Sequence, residues 1–121
     1  MDTTELKKAI QLYFDACYEG SEQKMAQVFH DLAHVYGHTP DGNLADTPKS
    51  DFVKRVGSRP ADTPPFPREN EILSIDFLGE KEAAVRVKVR VSNMRYTDSL
   101  SFIFADGKWV IIAKLFSGVS V

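Results

Sequence analysis

The sequence predicts an α+β fold, with helices leading the chain and strands closing it. Apolar residues recur at three- and four-residue steps through the first third. From Arg68 onward the apolar period changes to two. Between these halves, residues 57–67 hold four of the six prolines (Pro60, Pro64, Pro65, Pro67) and show no periodicity. That stretch reads as a surface loop rather than a domain boundary, so residues 1–121 are expected to form one domain.

The first helix carries Leu6, Ile10, Tyr13, Phe14, Cys17 and Tyr18 on one stripe. Asp2 is placed to cap its first turn, with Glu5 three residues on as in a capping box, and Gly20 to stop it. Ser21 restarts a short helix that buries Met25, Val28 and Phe29. Residues 34–46 are short and extended, turning at Asp41-Gly42-Asn43. A third helix follows, with Thr47 as N-cap, Pro48 as first helical residue, Phe52, Val53 and Val56 on its apolar side and Gly57 at its end.

Four strands complete the chain. The first carries Ile72, Leu73, Ile75 and Phe77 and ends at Gly79. In the second, Val85, Val87, Val89 and Val91 alternate with Arg86, Lys88 and Arg90, the pattern of a half-buried strand. Asn93 supplies a turn, and Tyr96, Asp98, Leu100, Phe102 and Phe104 share one face of the next strand. Asp106-Gly107 is a strong hairpin turn, and the last strand, from Trp109 to Phe116, is apolar on both faces. Such a strand wants cover on both sides, one from the helices and one from a second copy of the chain.

Composition narrows the function. The 121 residues carry 15 Lys+Arg against 17 Asp+Glu, so no basic arm for nucleic acid is present. Cys17 is the single cysteine, which excludes an internal disulfide and a thiolate zinc cage. No apolar run reaches the roughly 18 residues of a membrane span. The start, Met1-Asp2-Thr3-Thr4-Glu5, is too acidic for a signal peptide, so the expected location is cytoplasmic.

Asp98 is the leading candidate for chemistry. Alternation turns it inward with Leu100, Phe102 and Phe104, where desolvation favours an acid or base role. The competing reading places it near the sheet rim, paired with Arg95 or with a neighbouring strand. Tyr13, mid-helix on the apolar stripe, reads from the residues alone as a core aromatic with its hydroxyl satisfied. His30, His34 and His38 are spaced by four, but Val35-Tyr36-Gly37 argues against a continuing helix, and no metal site is expected. If that stretch is a strand, Val35 faces the core and the histidines face out, unless a bulge reverses the parity; His38 is kept as a ligand contact on that account. Arg59, at the start of the proline-rich loop, is placed to clamp a carboxylate or ring carbonyl, or simply to face solvent. Tyr36, Phe52 and Phe102 are candidate pocket walls. The stripe Arg86, Lys88, Arg90 and Arg95 faces away from Val85–Val91 and reads as a solvated or dimer-facing surface.

The segments YFDACYEGSEQKMAQVFHDLAHVYG and YTDSLSFIFADGKWVIIAKLF make the whole chain resemble the nuclear transport factor 2-like superfamily. Within it the chain looks most like the putative lumazine-binding branch of the SnoaL-like relatives. The resemblance implies a cone-shaped fold, three N-terminal helices packed on a curved, mainly antiparallel sheet. It also implies a deep pocket inside the cone and a homodimer joined through the outer sheet face. Tyr13 matches the tyrosine that binds the substrate oxygen in the ketosteroid isomerase branch. That enzyme's base falls at Gly37 and its protonated acid at Leu100, and neither residue can move a proton, so that activity is disfavoured. Two functions stay open. One is a pocket for a small apolar or heterocyclic ligand, with isomerisation, dehydration or cyclisation by proton transfer at Asp98, Tyr13 or Tyr36 as hydroxyl donor, and no cofactor. The other is a non-catalytic dimeric interaction module.

Overall fold

A computed structural model describes residues 2–121. Helix α1 spans Thr4–Glu19 and α2 spans Glu22–Val28, followed by strands β1 (Phe29–His38) and β2 (Leu44–Pro48). Helix α3 covers Lys49–Gly57, and the chain closes with β3 (Asn70–Phe77), β4 (Glu82–Val91), β5 (Met94–Ala105) and β6 (Lys108–Ser120). The six strands form one sheet in the order β2-β1-β6-β5-β4-β3, antiparallel except where β1 runs parallel to β6. The apolar β6 is therefore a central strand, which is why both of its faces are greasy. No helix among the described residues is long and apolar enough to cross a membrane.

The turn chemistry follows the sequence at most boundaries. Gly20 ends α1 in the left-handed region (φ 65°), with its N–H on Ala16 O. Ser21 Oγ accepts the Lys24 N–H at 3.1 Å to start α2. Asp106 and Gly107 both hold positive φ (53° and 81°), the geometry that a two-residue turn between twisted strands requires.

Three boundaries differ from the sequence reading. Phe29 is the first residue of β1 rather than part of α2, because α2 ends one residue earlier and the chain extends at once. Pro48 is the N-cap of α3 and Lys49 its first residue. Thr47 and Pro48 are still paired with Val35 and His34 in the β1–β2 ladder, so they cannot yet turn helical. The expected capping box is also absent. Asp2 Oδ1 accepts the Thr4 N–H at 2.9 Å and the Thr4 hydroxyl at 2.7 Å, while Glu5 pairs with Lys8 instead of reaching back.

The helices cover one face of the sheet. Leu6, Ile10, Tyr13 and Phe14 of α1 pack with Val85, Val87, Leu100, Phe102 and Ile111, all nearly or wholly excluded from solvent. Burial of this kind contributes about 25 cal/mol per Å² of apolar surface. The proline-rich loop is fastened to this body by Phe66, whose ring meets Tyr18 at 5.1 Å, and by Asp62, which accepts the Ser92 hydroxyl at 2.7 Å.

Candidate functional site

The site depends on a break in the β5–β6 register. Ser101 pairs with Ala113, but Phe102 pairs with Ile111, leaving Ile112 as an extra residue. A bulge shifts the inward parity of a strand. Before it Trp109 and Ile111 face inward, and after it Lys114 and Phe116 do, opposite Leu100 and Asp98. The bulge therefore delivers a lysine into the apolar interior, beside an aspartate from the next strand.

Asp98 is wholly buried. Its Oδ2 accepts a hydrogen bond from the Tyr13 hydroxyl, which comes from the middle of α1. Lys114 Nζ lies 4.0 Å from the same oxygen, beyond hydrogen-bond length. Among the described residues Asp98 Oδ1 has no hydrogen-bond partner. Lys114 is itself 9% exposed and is surrounded by ring faces: Nζ is 4.7 Å from the Phe52 centroid, 5.3 Å from Tyr13 and 5.5 Å from Phe116. Such faces attract a cation and partly replace its lost water.

These groups line a cavity of about 270 Å³ between the helices and the sheet, walled also by Met25, Val35 and Val89. Arg55, Arg59 and Tyr96 line it as well. Burial, then the Asp98 charge, hold the Tyr13 hydroxyl protonated well above its ordinary range. Burial likewise raises Tyr96, with Asp98 adding to the shift.

Cys17 also lines the cavity, and burial pushes its thiol up from 9.0 to about 11. Only the thiolate is nucleophilic, so iodoacetamide should alkylate native Cys17 at pH 8 far more slowly than a free thiol. A raised pKa also links to stability. The thiol's contribution is complete below pH 9, where it is protonated in both states, and is lost as pH rises through about 11. Urea titrations at pH 8 and pH 11 should show a loss on the order of 2–3 kcal/mol from this group. Cys17→Ala should remove that part of the decline; an unchanged decline would contradict it.

The sequence candidates fall in three places. Asp98, Tyr13, Phe52 and Arg59 meet at the cavity. Phe102 is buried in the core on the same face and does not line the cavity. Tyr36 and His38 turn the other way, because the inward positions of this part of β1 are Val35 and Gly37. Tyr36 stacks on His34 at 6.0 Å, and His34 Nδ1 pairs with Asp46 Oδ1 at 2.6 Å. Among the described residues, no group of three or more His, Cys, Asp or Glu is gathered as a metal would need. Asp98 also does not pair with Arg95, which bonds Glu69 at 3.0 Å.

Arg59 has a structural task at the cavity edge. Its guanidinium donates to Cys17 O at 2.7 Å and Tyr18 O at 3.0 Å, closing two carbonyls at the C-terminal end of α1. It also lies 5.5 Å from the Phe66 ring centroid. Arg59→Ala should lower stability by about 1.5 kcal/mol in urea titration. It should also expose the proline-rich loop to protease; a loop as resistant as before would contradict this role.

Lys114, Tyr96, Phe116 and Arg55 were not singled out by the sequence reading. The available signal was Lys114 itself, one charge inside the apolar run Val110-Ile111-Ile112-Ala113-Lys114-Leu115-Phe116.

A six-stranded sheet covered on one face by three helices, with a pocket between them, is the nuclear transport factor 2-like fold. Solved structures share it. A nuclear transport factor 2-like protein of unknown function from Shewanella baltica superposes with a TM-score of 0.85 at 19% identity, over 98% of this chain and 94% of that one. Another from Methylobacillus flagellatus gives 0.83 at 27% identity, over 98% and 93%. A ketosteroid isomerase-like protein from Erwinia carotovora atroseptica gives 0.74 at 16%, over 98% and 96%. No curated protein matches the sequence. Residues 1–117 match the family described as putative lumazine-binding, and the chain belongs to that family.

Proposed function

We propose that the protein binds a small, flat, ring-containing molecule in the cavity, and that Asp98 is the group that recognises it. One observation carries this reading: among the described residues, Asp98 Oδ1 is a fully buried acceptor with no partner, in the wall of a cavity lined largely by apolar side chains. Buried polar atoms are nearly always paired, so an orphan facing a cavity is best explained by a ligand that supplies the donor. The family description points to a heterocycle of suitable shape. Oδ1 is also the atom placed to take a proton from such a ligand, as cofactor-free isomerisation, dehydration or cyclisation would need. Tyr13 then acts as a positioning residue, since its hydroxyl is engaged by Oδ2. The open cavity speaks against an interaction module filled by its own aromatics.

In the same reading two copies meet through the outer sheet face. Leu115 is 58% exposed there, on the central strand β6, and pairs in register with Tyr36. Sedimentation should show a dimer at micromolar concentration; a monomer would remove this part.

The binding test uses methyl NMR of Met25, Val35 and Val89 with quinazolin-4-one, chromone and 2-naphthol as probes. At least one probe should shift these methyls in the unmodified chain. Val91→Trp, which fills the cavity from its wall, should abolish the shifts with the fold intact. No shift from any probe at millimolar concentration would overturn the proposal.

A further inference from the structure

At the cavity Arg55 donates to Thr47 Oγ1, Arg59 to the α1 carbonyls and Tyr13 to Asp98 Oδ2, and the two charged groups left over are an unusual pair. One is an acceptor without a donor, Asp98 Oδ1. The other is a cation whose nearest Asp98 oxygen, at 4.0 Å, is too far to accept a hydrogen bond. They sit on adjacent strands of the same sheet face, since Asp98 pairs with Phe116 and Leu100 with Lys114. A ligand with only a donor satisfies Asp98 and leaves Lys114 unmatched. A ligand with only an acceptor does the reverse. Leaving either buried group unmatched weakens binding strongly, whereas apolar contacts discriminate poorly between ligands of similar shape.

We propose that the cavity selects a planar cyclic amide, its ring N–H donating to Asp98 Oδ1 and the adjacent ring carbonyl accepting from Lys114 Nζ. This rests on the binding reading above and names the ligand's chemical class. An amide edge is a flat, neutral group that presents a donor and an acceptor side by side. A free carboxylate would satisfy Lys114 but would meet the Asp98 charge in a poorly solvated space. The walls favour a ring: Phe52, Tyr13 and Phe116 set their faces around Lys114 Nζ. The size limits it further. About 270 Å³ lies just below the usual range of about 300–1,000 Å³ for drug-sized ligands, which suits one or two fused rings.

The test compares three bicyclic probes on the unmodified chain by calorimetry or NMR titration. Quinazolin-4(3H)-one carries the N–H and the carbonyl. Its 3-methyl derivative lacks the N–H, and chromone offers the carbonyl on a ring of the same size without nitrogen. The amide should bind at least about tenfold tighter than either analogue. Lys114→Met should weaken it by about tenfold, because the carbonyl loses its donor. The methylated probe keeps the test independent of whether that variant folds. Equal binding of all three would overturn this inference while leaving ring binding intact. Tighter binding of chromone would overturn it in the same way. Absence of binding by all three probes would overturn this inference, and absence of methyl shifts with 2-naphthol as well would overturn the reading on which it rests.

Discussion

Asp98→Leu is expected to lower folding stability by about 3–5 kcal/mol, and adding Lys114→Met is expected to restore most of that loss. The single substitution removes the carboxylate beside a buried ammonium. The ring faces of Phe52, Tyr13 and Phe116 remain, but a cation–π contact is worth only about 0.5–2 kcal/mol, too little to balance an ion removed from water. Tyr13 is affected as well, since its buried hydroxyl loses its acceptor. The double variant replaces both charges with apolar side chains of similar length, a change that is often neutral in a dry interior. Urea titrations of the four proteins in the cycle measure the coupling directly. The expected non-additivity is at least 2 kcal/mol, in the range of about 0.5–3 kcal/mol known for residues in contact. Additive effects would show that Asp98 and Lys114 do not sense one another. The cycle also separates stability from function: the restored double variant should fold and no longer discriminate between ligands by their polar edges.

The pattern of what the sequence reveals follows from how information is distributed along a strand. The alternation Val85, Val87, Val89, Val91 is regular, and that strand forms with those residues inward. Asp98 was placed inward by the same rule, through its spacing from Leu100 and Phe102. Lys114 was not legible, because its direction is set by the extra residue at Ile112, and a bulge is a property of strand pairing rather than of one strand's residues. The period of two therefore fails at the position where the site is completed. Tyr36 and His38 show the opposite case. The parity of Val35 turns them outward, and it holds because β1 pairs with β2 in unbroken register over this stretch. Arg59 was noticed for its position beside the loop, but its partners are carbonyls of α1, some forty residues away, which no local pattern encodes. The parallel pairing of β1 with β6 is equally long-range, and it is what brings Gly37 beside Phe116.

That last contact leads to the second large effect. Gly37→Ala is expected to abolish ligand binding in the cavity while lowering stability by only about 2 kcal/mol. A Cβ at position 37 would lie 2.6 Å from Phe116 Cε1 and 2.7 Å from Cζ, closer than carbon atoms can approach. The backbone of β1 is held by β2 on one side and β6 on the other, so the ring is the part that gives way. Phe116 meets Tyr96 edge-on at 5.8 Å, and Tyr96 in turn lies over Gly118, where a Cβ would stand 2.7 Å from its ring. Displacing Phe116 therefore moves two walls of the cavity together. It also disturbs one of the three ring faces around Lys114 Nζ. Small core strain of this kind typically costs about 1–3 kcal/mol, which a folded domain survives. A cavity of about 270 Å³ has far less room to absorb a displaced phenyl ring. Gly37→Ala paired with Phe116→Leu tests the cause, because the shorter side chain clears the new methyl group. The double variant should recover the methyl shifts seen with ring probes, whereas Gly37→Ala alone should not. Binding by Gly37→Ala equal to that of the unmodified chain would show that Phe116 does not set the width of the cavity.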